Sequence, residues 1–147
     1  MNKQNLILGA LFVGVVVVGV IAYTRAEMRQ VEHPDTTMNE TQEGITIETI
    51  TEGEGALAVD GKSVAVHYVG TLPSGEKFDS SRDRGEPLSF TLGSGGLIPG
   101  FEEGVRGMKV EGVRKVTLAP SQAYGAVSGH PLQNETLIFE IELLSVE

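Results

Sequence analysis

Two runs of alternating apolar and polar residues constrain the fold of this chain most, because a period of two fits a strand and not a helix. Ile45 and Ile47 alternate with polar neighbours, and a second run places Val64, Val66 and Tyr68 on one side of the backbone. This pattern is typical of a half-buried strand. The sequence therefore predicts antiparallel strands that share one hydrophobic core.

Further apolar and β-branched stretches extend this prediction, and turn-forming residues separate them. The additional strand candidates are Lys77 to Ser80, Leu88 to Leu92, Val113 to Ala119 and Thr136 to Leu144. The turn residues are Asp60-Gly61, Ser74-Gly75 and Gly112. Because the chain contains 19 glycines, we expect many tight turns and little helix.

One helix is predicted after Pro99-Gly100. Phe101, Val105 and Met108 fall on one face of it at i, i+4 and i+7. Two glutamates follow Phe101 in the first turn, where negative charge is favourable. The predicted class is α+β, with a curved antiparallel sheet wrapped on one short α-helix.

The N-terminus differs from this domain, because Leu6 to Tyr23 is a run of 18 residues without a charge. As a helix it would be about 27 Å long, close to the thickness of a bilayer's hydrocarbon core. So short a chain cannot bury such a helix on all sides. We expect a transmembrane signal anchor over residues 1–24, and a cleaved secretory signal is the alternative.

The polar stretch that follows the apolar run predicts an acidic tether over residues 25–43. The folded domain then occupies residues 44–147. Basic residues stand on both sides of the apolar run, so the positive-inside rule does not decide its orientation. An N-terminal apolar segment most often directs export, which favours a single-pass protein whose domain is anchored outside the cytoplasm, as in a bacterial periplasm. Secretion after cleavage is the alternative.

Several classes of function are disfavoured by composition. The net charge of −9, without a basic stripe, argues against nucleic-acid binding. There is no cysteine, which excludes thiolate chemistry. The histidines at positions 33, 67 and 130 lack metal-ligand spacing, and Gly93 to Gly96 lacks the lysine of a phosphate-binding loop. We expect no metal and no cofactor.

Four segments in a fixed order carry a family resemblance. They are His67 to Leu92, Leu97 to Gly104, Ala119 to Ala126 and Thr136 to Leu144. In this order they resemble the FKBP-type peptidyl-prolyl isomerases, the macrolide-binding immunophilins. The resemblance covers nearly all of residues 44–147, and it implies the FKBP fold in a minimal, single-domain and monomeric form.

The activity implied by this resemblance is rotation about X-Pro peptide bonds during protein folding, without a covalent intermediate. Proline-containing polypeptides are the implied substrates, and macrolides are implied as inhibitors. By motif match, the implied catalytic residues are Tyr68, Phe78, Asp79, Tyr124 and Phe139. The implied substrate-binding residues are Leu97, Ile98, Phe101, Leu88, Arg84 and His130.

The resemblance also implies roles for individual side chains. Phe101 forms the floor of a proline pocket, and Phe78 and Phe139 form its walls. Tyr124 donates its hydroxyl to a substrate carbonyl. Asp79 is held at the pocket wall by Arg84 or Tyr68, where it polarises the amide or fixes the pocket's shape.

This sequence departs from the family at three positions. Phe101 stands where the family commonly has Trp, and Leu88 where it commonly has an aromatic residue. The loop after Gly129-His130-Pro131 is shorter, and Leu132 is expected to make a poorer contact over the pocket. The shortened loop predicts weaker catalysis or a changed preference for the residue before proline. It also leaves an alternative open, a non-catalytic module that binds a proline-containing partner segment.

Overall fold

The computed structural model describes residues 39–147. The predicted membrane segment and residues 25–38 of the predicted tether lie outside the described residues. Within residues 39–147, no helix has the length and apolar character needed to cross a bilayer.

Residues 39–147 form one antiparallel sheet of seven strands. The strands are β1 (Asn39–Gln42), β2 (Ile45–Thr51), β3 (Ser63–Thr71), β4 (Lys77–Ser80), β5 (Leu88–Thr91), β6 (Val113–Leu118) and β7 (Leu137–Val146). Their order is β1-β2-β6-β7-β3-β4, and β5 also pairs with β3. The long strand β3 therefore pairs with β5 along its first half and with β4 along its second half.

The predicted strands are all present, with ends that differ from the expected ones by at most three residues. Strand β1 was not predicted, because its residues Asn-Glu-Thr-Gln are polar and exposed and carry no alternation. It lies inside the segment expected to be a tether. A tight turn at Gly44, whose φ is 80°, brings it into register against β2.

The prediction of a single helix is incomplete. Helix α2 (Pro99–Val105) is the expected one, but a one-turn helix, α1 (Ser81–Arg84), precedes it and a 3-10 turn covers Pro120–Gln122. Helix α2 also ends earlier than expected, so Met108 lies beyond it, although its side chain is buried. The Arg114 guanidinium stands at this end and donates to the carbonyls of Gly104 and Arg106 at 3.0 and 2.8 Å.

Helix α2 packs closely against β6 because two of its residues lack a side chain. A Cβ at Gly104 would lie 2.7 Å from Val116 Cγ2, and one at Gly100 would overlap Leu118 Cδ2. Phe101, which follows Gly100 in the helix, packs its ring against Tyr68 on β3 and Phe139 on β7, where it is 3% exposed. The close contact between helix and sheet thus sets the depth of this ring.

Candidate active site

A cavity of about 470 Å³ opens above Phe101, a size suited to a small ligand or a side chain. Most of the side chains predicted as site residues line it, namely Tyr68, Phe78, Asp79, Leu88, Leu97, Ile98, Phe101, Tyr124 and Phe139. The other lining residues were not predicted, and they are Gly96, Pro99, Ser121, Ala123, Ala126 and Val127. The folded chain therefore brings the predicted set together from seven separate elements and loops, namely β3, β4, β5, the loop before α2, α2, the loop after Pro120–Gln122 and β7.

Aromatic rings form the floor and one wall of the cavity. The ring centroids of Tyr68 and Phe139 lie 5.4 and 5.1 Å from that of Phe101, both edge to face. Phe78 stands edge to face on Phe139 at 5.6 Å. Edge-to-face contact places the positive edge of one ring against the negative face of the next. The four rings support one another and leave their free surfaces to the cavity.

Glycine at position 70 makes room for two of these rings. A Cβ there would lie 2.7 Å from Phe78 Cζ and 3.0 Å from Phe139 Cε1. Gly70 on β3 pairs with Phe139 on one side and with Asp79, the neighbour of Phe78, on the other. Both rings therefore lie over this residue. This residue was not predicted to matter for the site.

The polar side of the cavity is a contact between Tyr68, Asp79 and Arg84. The Tyr68 hydroxyl donates to Asp79 Oδ2 at 2.5 Å. Arg84 donates to Asp79 Oδ1 through Nη1 and to the Tyr68 hydroxyl through Nη2, the second bond at 2.9 Å. Asp79 is therefore held by both of the partners that the sequence offered as alternatives.

These contacts shift two pKa values in opposite directions. Burial raises the pKa of Tyr68, and its hydrogen bond to Asp79 raises it further. Partial burial alone would raise the pKa of Asp79, but hydrogen bonds from Tyr68, Arg84 and the Ser80 amide outweigh it and lower that pKa. At neutral pH a protonated phenol therefore faces an ionised carboxylate.

Helix α1 brings Arg84 to this contact. The Ser80 hydroxyl caps its start by accepting from the Asp83 amide at 3.2 Å, and Gly85 ends it in the left-handed conformation with φ 71°. The turn carries Arg84 back over Asp79. Arg84 is exposed and, among the described residues, is not part of the cavity lining, so it acts on the site through its two partners.

A buried carboxylate holds the loop that supplies Leu97 and Ile98. Glu102 is 6% exposed, and its two oxygens accept from the amides of Gly93 and Leu97 at 2.8 and 3.4 Å. The sequence suggested only a favourable helix-terminal charge for this residue. A carboxylate that follows a glycine-rich turn and begins a helix is the signal by which its loop contact could have been found.

The opposite rim of the cavity is a loop from Ala123 to Thr136. The Tyr124 ring stacks on His130 with centroids 3.9 Å apart, and His130 Nδ1 accepts from the Leu132 amide at 3.1 Å. Among the described residues, neither His130 nor Leu132 lines the cavity. His130 instead contacts Tyr124, which does line the cavity, and Leu132 packs against the hydrophobic core.

The apolar side chain that this loop presents to the cavity is Val127, which is 48% exposed. Sequence reasoning missed it because an isolated valine in a glycine-rich loop carries no periodic pattern. Ala126 beside it is also exposed and lines the cavity. An exposed apolar pair at a cavity rim provides a surface for a ligand to cover.

Comparison with known proteins agrees with this geometry. Residues 55–144 match the family model described as FKBP-type peptidyl-prolyl cis-trans isomerase. The chain is 51% identical over 108 residues to FK506-binding protein 1A of Neurospora crassa, covering 71% of this chain and 90% of that protein. It is 50% identical over 105 residues to an FK506-binding protein of Neisseria meningitidis serogroup B, covering 70% and 96%.

A solved structure is also similar. FkpA from Escherichia coli superposes with a TM-score of 0.66 at 31% identity, over 100% of this chain and 74% of that chain. The family match, the identities near one half and the aromatic cavity lead to the same assignment. The chain belongs to the FKBP-type peptidyl-prolyl cis-trans isomerase family.

Proposed function

We propose that this chain accelerates the rotation of X-Pro peptide bonds and that proline binds in the aromatic cavity above Phe101. The observation that carries the proposal is the set of four mutually supporting rings around a cavity of about 470 Å³ with one polar side. An apolar cavity of this shape suits a proline ring, while the polar side meets the amide next to it.

The chemistry needs no acid, base or cofactor. The barrier to rotation is about 18–20 kcal/mol because the twisted amide loses its conjugation. A twisted amide is also less polar at its oxygen, so a site with little water favours it over the planar ground state. Tyr68, Phe101 and Phe139 keep water from the floor, being 7, 3 and 4% exposed.

Two groups are placed to act on the substrate's peptide. The Asp79 carboxylate lines the cavity and is ionised at neutral pH, held by Tyr68 and Arg84. It fixes the polar wall and interacts with the charge distribution of the rotating amide. Tyr124 lines the opposite side, and its hydroxyl is the proposed donor to a substrate carbonyl.

The test is the isomerisation rate of a Leu-Pro peptide with the full-length chain, in the presence and absence of FK506. Phe78→Leu should lower kcat/KM by about tenfold or more. Phe90→Leu is the matched control, because Phe90 also packs on the core but is not part of the cavity lining among the described residues. Equal effects of the two variants would contradict the placement of proline in this cavity.

The second candidate is a non-catalytic module that binds proline-containing segments. The short loop after Pro131 favours it, since Leu132 faces the core behind the loop and leaves the rim to Val127. A binder would retain peptide affinity and lose it with Phe78→Leu, yet give no acceleration. The same assay, combined with a binding isotherm, therefore separates the two functions.

For its location, we propose that Leu6 to Tyr23 anchors the chain in a membrane, with the domain as a monomer on the extracytoplasmic side. Its substrates would then be polypeptides that fold after export. Retention of the full-length chain in the membrane fraction after alkaline carbonate supports anchoring. Release with a new N-terminus near residue 24 supports the alternative, secretion after cleavage.

A further inference from the structure

The sheet has a gap beside Tyr68. Strand β3 pairs with β5 as far as Val66 and with β4 from Val69 onward. Within residues 39–147, His67 and Tyr68 therefore have no strand neighbour on that edge, although β7 covers their other edge. A buried strand edge without partners would leave backbone groups unsatisfied at a considerable cost in stability.

A single side chain fills this gap. Ser81, the first residue of α1, is 0% exposed, and its hydroxyl accepts from the Tyr68 amide at 2.8 Å. The same oxygen lies 3.3 Å from the Tyr68 carbonyl, to which it donates, and 3.0 Å from His67 Nδ1. A hydroxyl has one donor and two acceptor positions, so it can serve both backbone groups of one residue.

The two residues joined in this way belong to the polar wall of the cavity. Tyr68 carries the phenol that donates to Asp79 at 2.5 Å. Ser81 begins the turn that carries Arg84, whose Nη2 reaches the Tyr68 hydroxyl at 2.9 Å. The Ser81 hydroxyl therefore joins the backbone of Tyr68 to helix α1, which carries Arg84.

We propose that Ser81 is a positioning residue for the isomerase reaction, whose hydroxyl holds Tyr68 against α1 and so sets the contact between Tyr68, Asp79 and Arg84. The proposal rests on the function proposed above. Ser81 does not line the cavity among the described residues, so its effect on substrate is transmitted through Tyr68. Neighbouring Ser80 has a different task, because its hydroxyl accepts from Asp83 within α1.

The test compares Ser81→Ala and Ser81→Cys with Ser89→Ala in the full-length chain. Ser89 is a suitable control because it is exposed and pairs with the same strand, opposite Ala65. We expect Ser81→Ala to lower kcat/KM about tenfold, Ser81→Cys to lie between it and the parent, and Ser89→Ala to have no effect. Cysteine is nearly isosteric and keeps a weaker donor and acceptor, so it also serves if the alanine variant does not fold.

A second readout separates positioning from stability alone. The ionisation of Tyr68, followed by the NMR signal of its ring carbon and assigned with Tyr68→Phe, should shift toward that of an ordinary tyrosine in the Ser81 variants. A parent-like titration and parent-like kcat/KM in both Ser81 variants would overturn the proposal, even if their melting temperatures fall. If the parent protein is inactive, the proposed function fails. The titration of Tyr68 in the parent and in the Ser81 variants still shows whether Ser81 positions Tyr68.

Discussion

The two sides of the cavity are built in different ways. The core side, formed by Tyr68, Phe101 and Phe139, consists of rings that are at most 7% exposed and belong to the hydrophobic core itself. The loop side, formed by Tyr124, Ala126 and Val127, stands on a loop supported by a ring stack and a few hydrogen bonds. One wall of the site is therefore part of the hydrophobic core, whereas residues of the other wall can change without disrupting the fold.

The core side should therefore respond to mutation in stability and activity together. The loop side should respond mainly in activity and in the choice of substrate, since exposed loop residues contribute little to the free energy of unfolding.

The largest effect is expected for Phe101→Ala. Its ring is 3% exposed and contacts Tyr68, Phe90 and Phe139, so its removal leaves a cavity where three rings meet. We expect a loss of about 3–5 kcal/mol in the free energy of unfolding, measured by urea denaturation, together with loss of isomerisation. A loss below about 1 kcal/mol would show that the core side matters no more for stability than the loop side does.

Gly70→Ala should have the next largest effect. The added Cβ would meet Phe78 and Phe139 at 2.7 and 3.0 Å and would push both rings from their places. Overpacking of this kind costs about 1–3 kcal/mol, and a displaced wall should lower kcat/KM as well. Gly96→Ala is the stability control, because its new Cβ would have Ser94 Oγ as nearest neighbour at 3.6 Å. Equal destabilisation by both variants would contradict this explanation.

On the loop side, His130→Ala should remove the stack that supports Tyr124. The centroid distance of 3.9 Å and the interplanar angle of 11° indicate full ring overlap. We expect a loss of about 0.5–1.5 kcal/mol in stability and a larger relative loss in kcat/KM. His130→Phe keeps a ring to stack on and should recover most of the activity. An equal loss of activity in His130→Ala and His130→Phe would assign the effect to the hydrogen bond that the Leu132 amide donates to His130 Nδ1.

Acid should act on the polar side of the cavity through Asp79, which is hydrogen-bonded to Tyr68 of the core side. Because its pKa is lowered in the folded state, its stabilising contribution is present above the unfolded pKa and is lost as the pH falls through the folded value, below 3.8. Both partners of its ion pair are about half exposed, which limits the contribution to about 0–1 kcal/mol. Asp79→Asn should flatten this part of the stability profile, measured by thermal unfolding between neutral pH and pH 3. An unchanged acid profile would show that the carboxylate has no stabilising partner.

The smallest change in stability is expected for Val127→Ser, within about 0.5 kcal/mol. Val127 is 48% exposed and lines the rim, so its loss should lower kcat/KM a few-fold for a Leu-Pro peptide and less for an Ala-Pro peptide. The ratio of the two rates is the measurement. An unchanged ratio would show that the residue before proline does not contact this rim.

The same division explains what the sequence could predict. Alternation along β2 and β3 predicted half-buried strands. The family resemblance carried by the ordered motifs implied most of the cavity lining. Strand β1 was missed because its pairing depends on a turn and on backbone hydrogen bonds rather than on apolar side chains.

Three residues at or near the site were not predicted, for a similar reason. Ser81 and Glu102 each make two hydrogen bonds to backbone groups that are distant in sequence or separated by a loop. Val127 acts through its position on a rim. Such contacts depend on geometry that no local pattern of residues specifies, so only the folded chain reveals them.

A proline-containing peptide should both bind in the aromatic cavity and be isomerised there. NMR exchange spectroscopy of a Leu-Pro peptide with the full-length chain measures both at once, through cis-trans exchange and through shifts of protein signals. We expect exchange far faster than the tens to hundreds of seconds of the free peptide, with the largest shifts at Tyr68, Phe78 and Tyr124. Binding at these residues without faster exchange, or faster exchange without these shifts, would contradict this expectation.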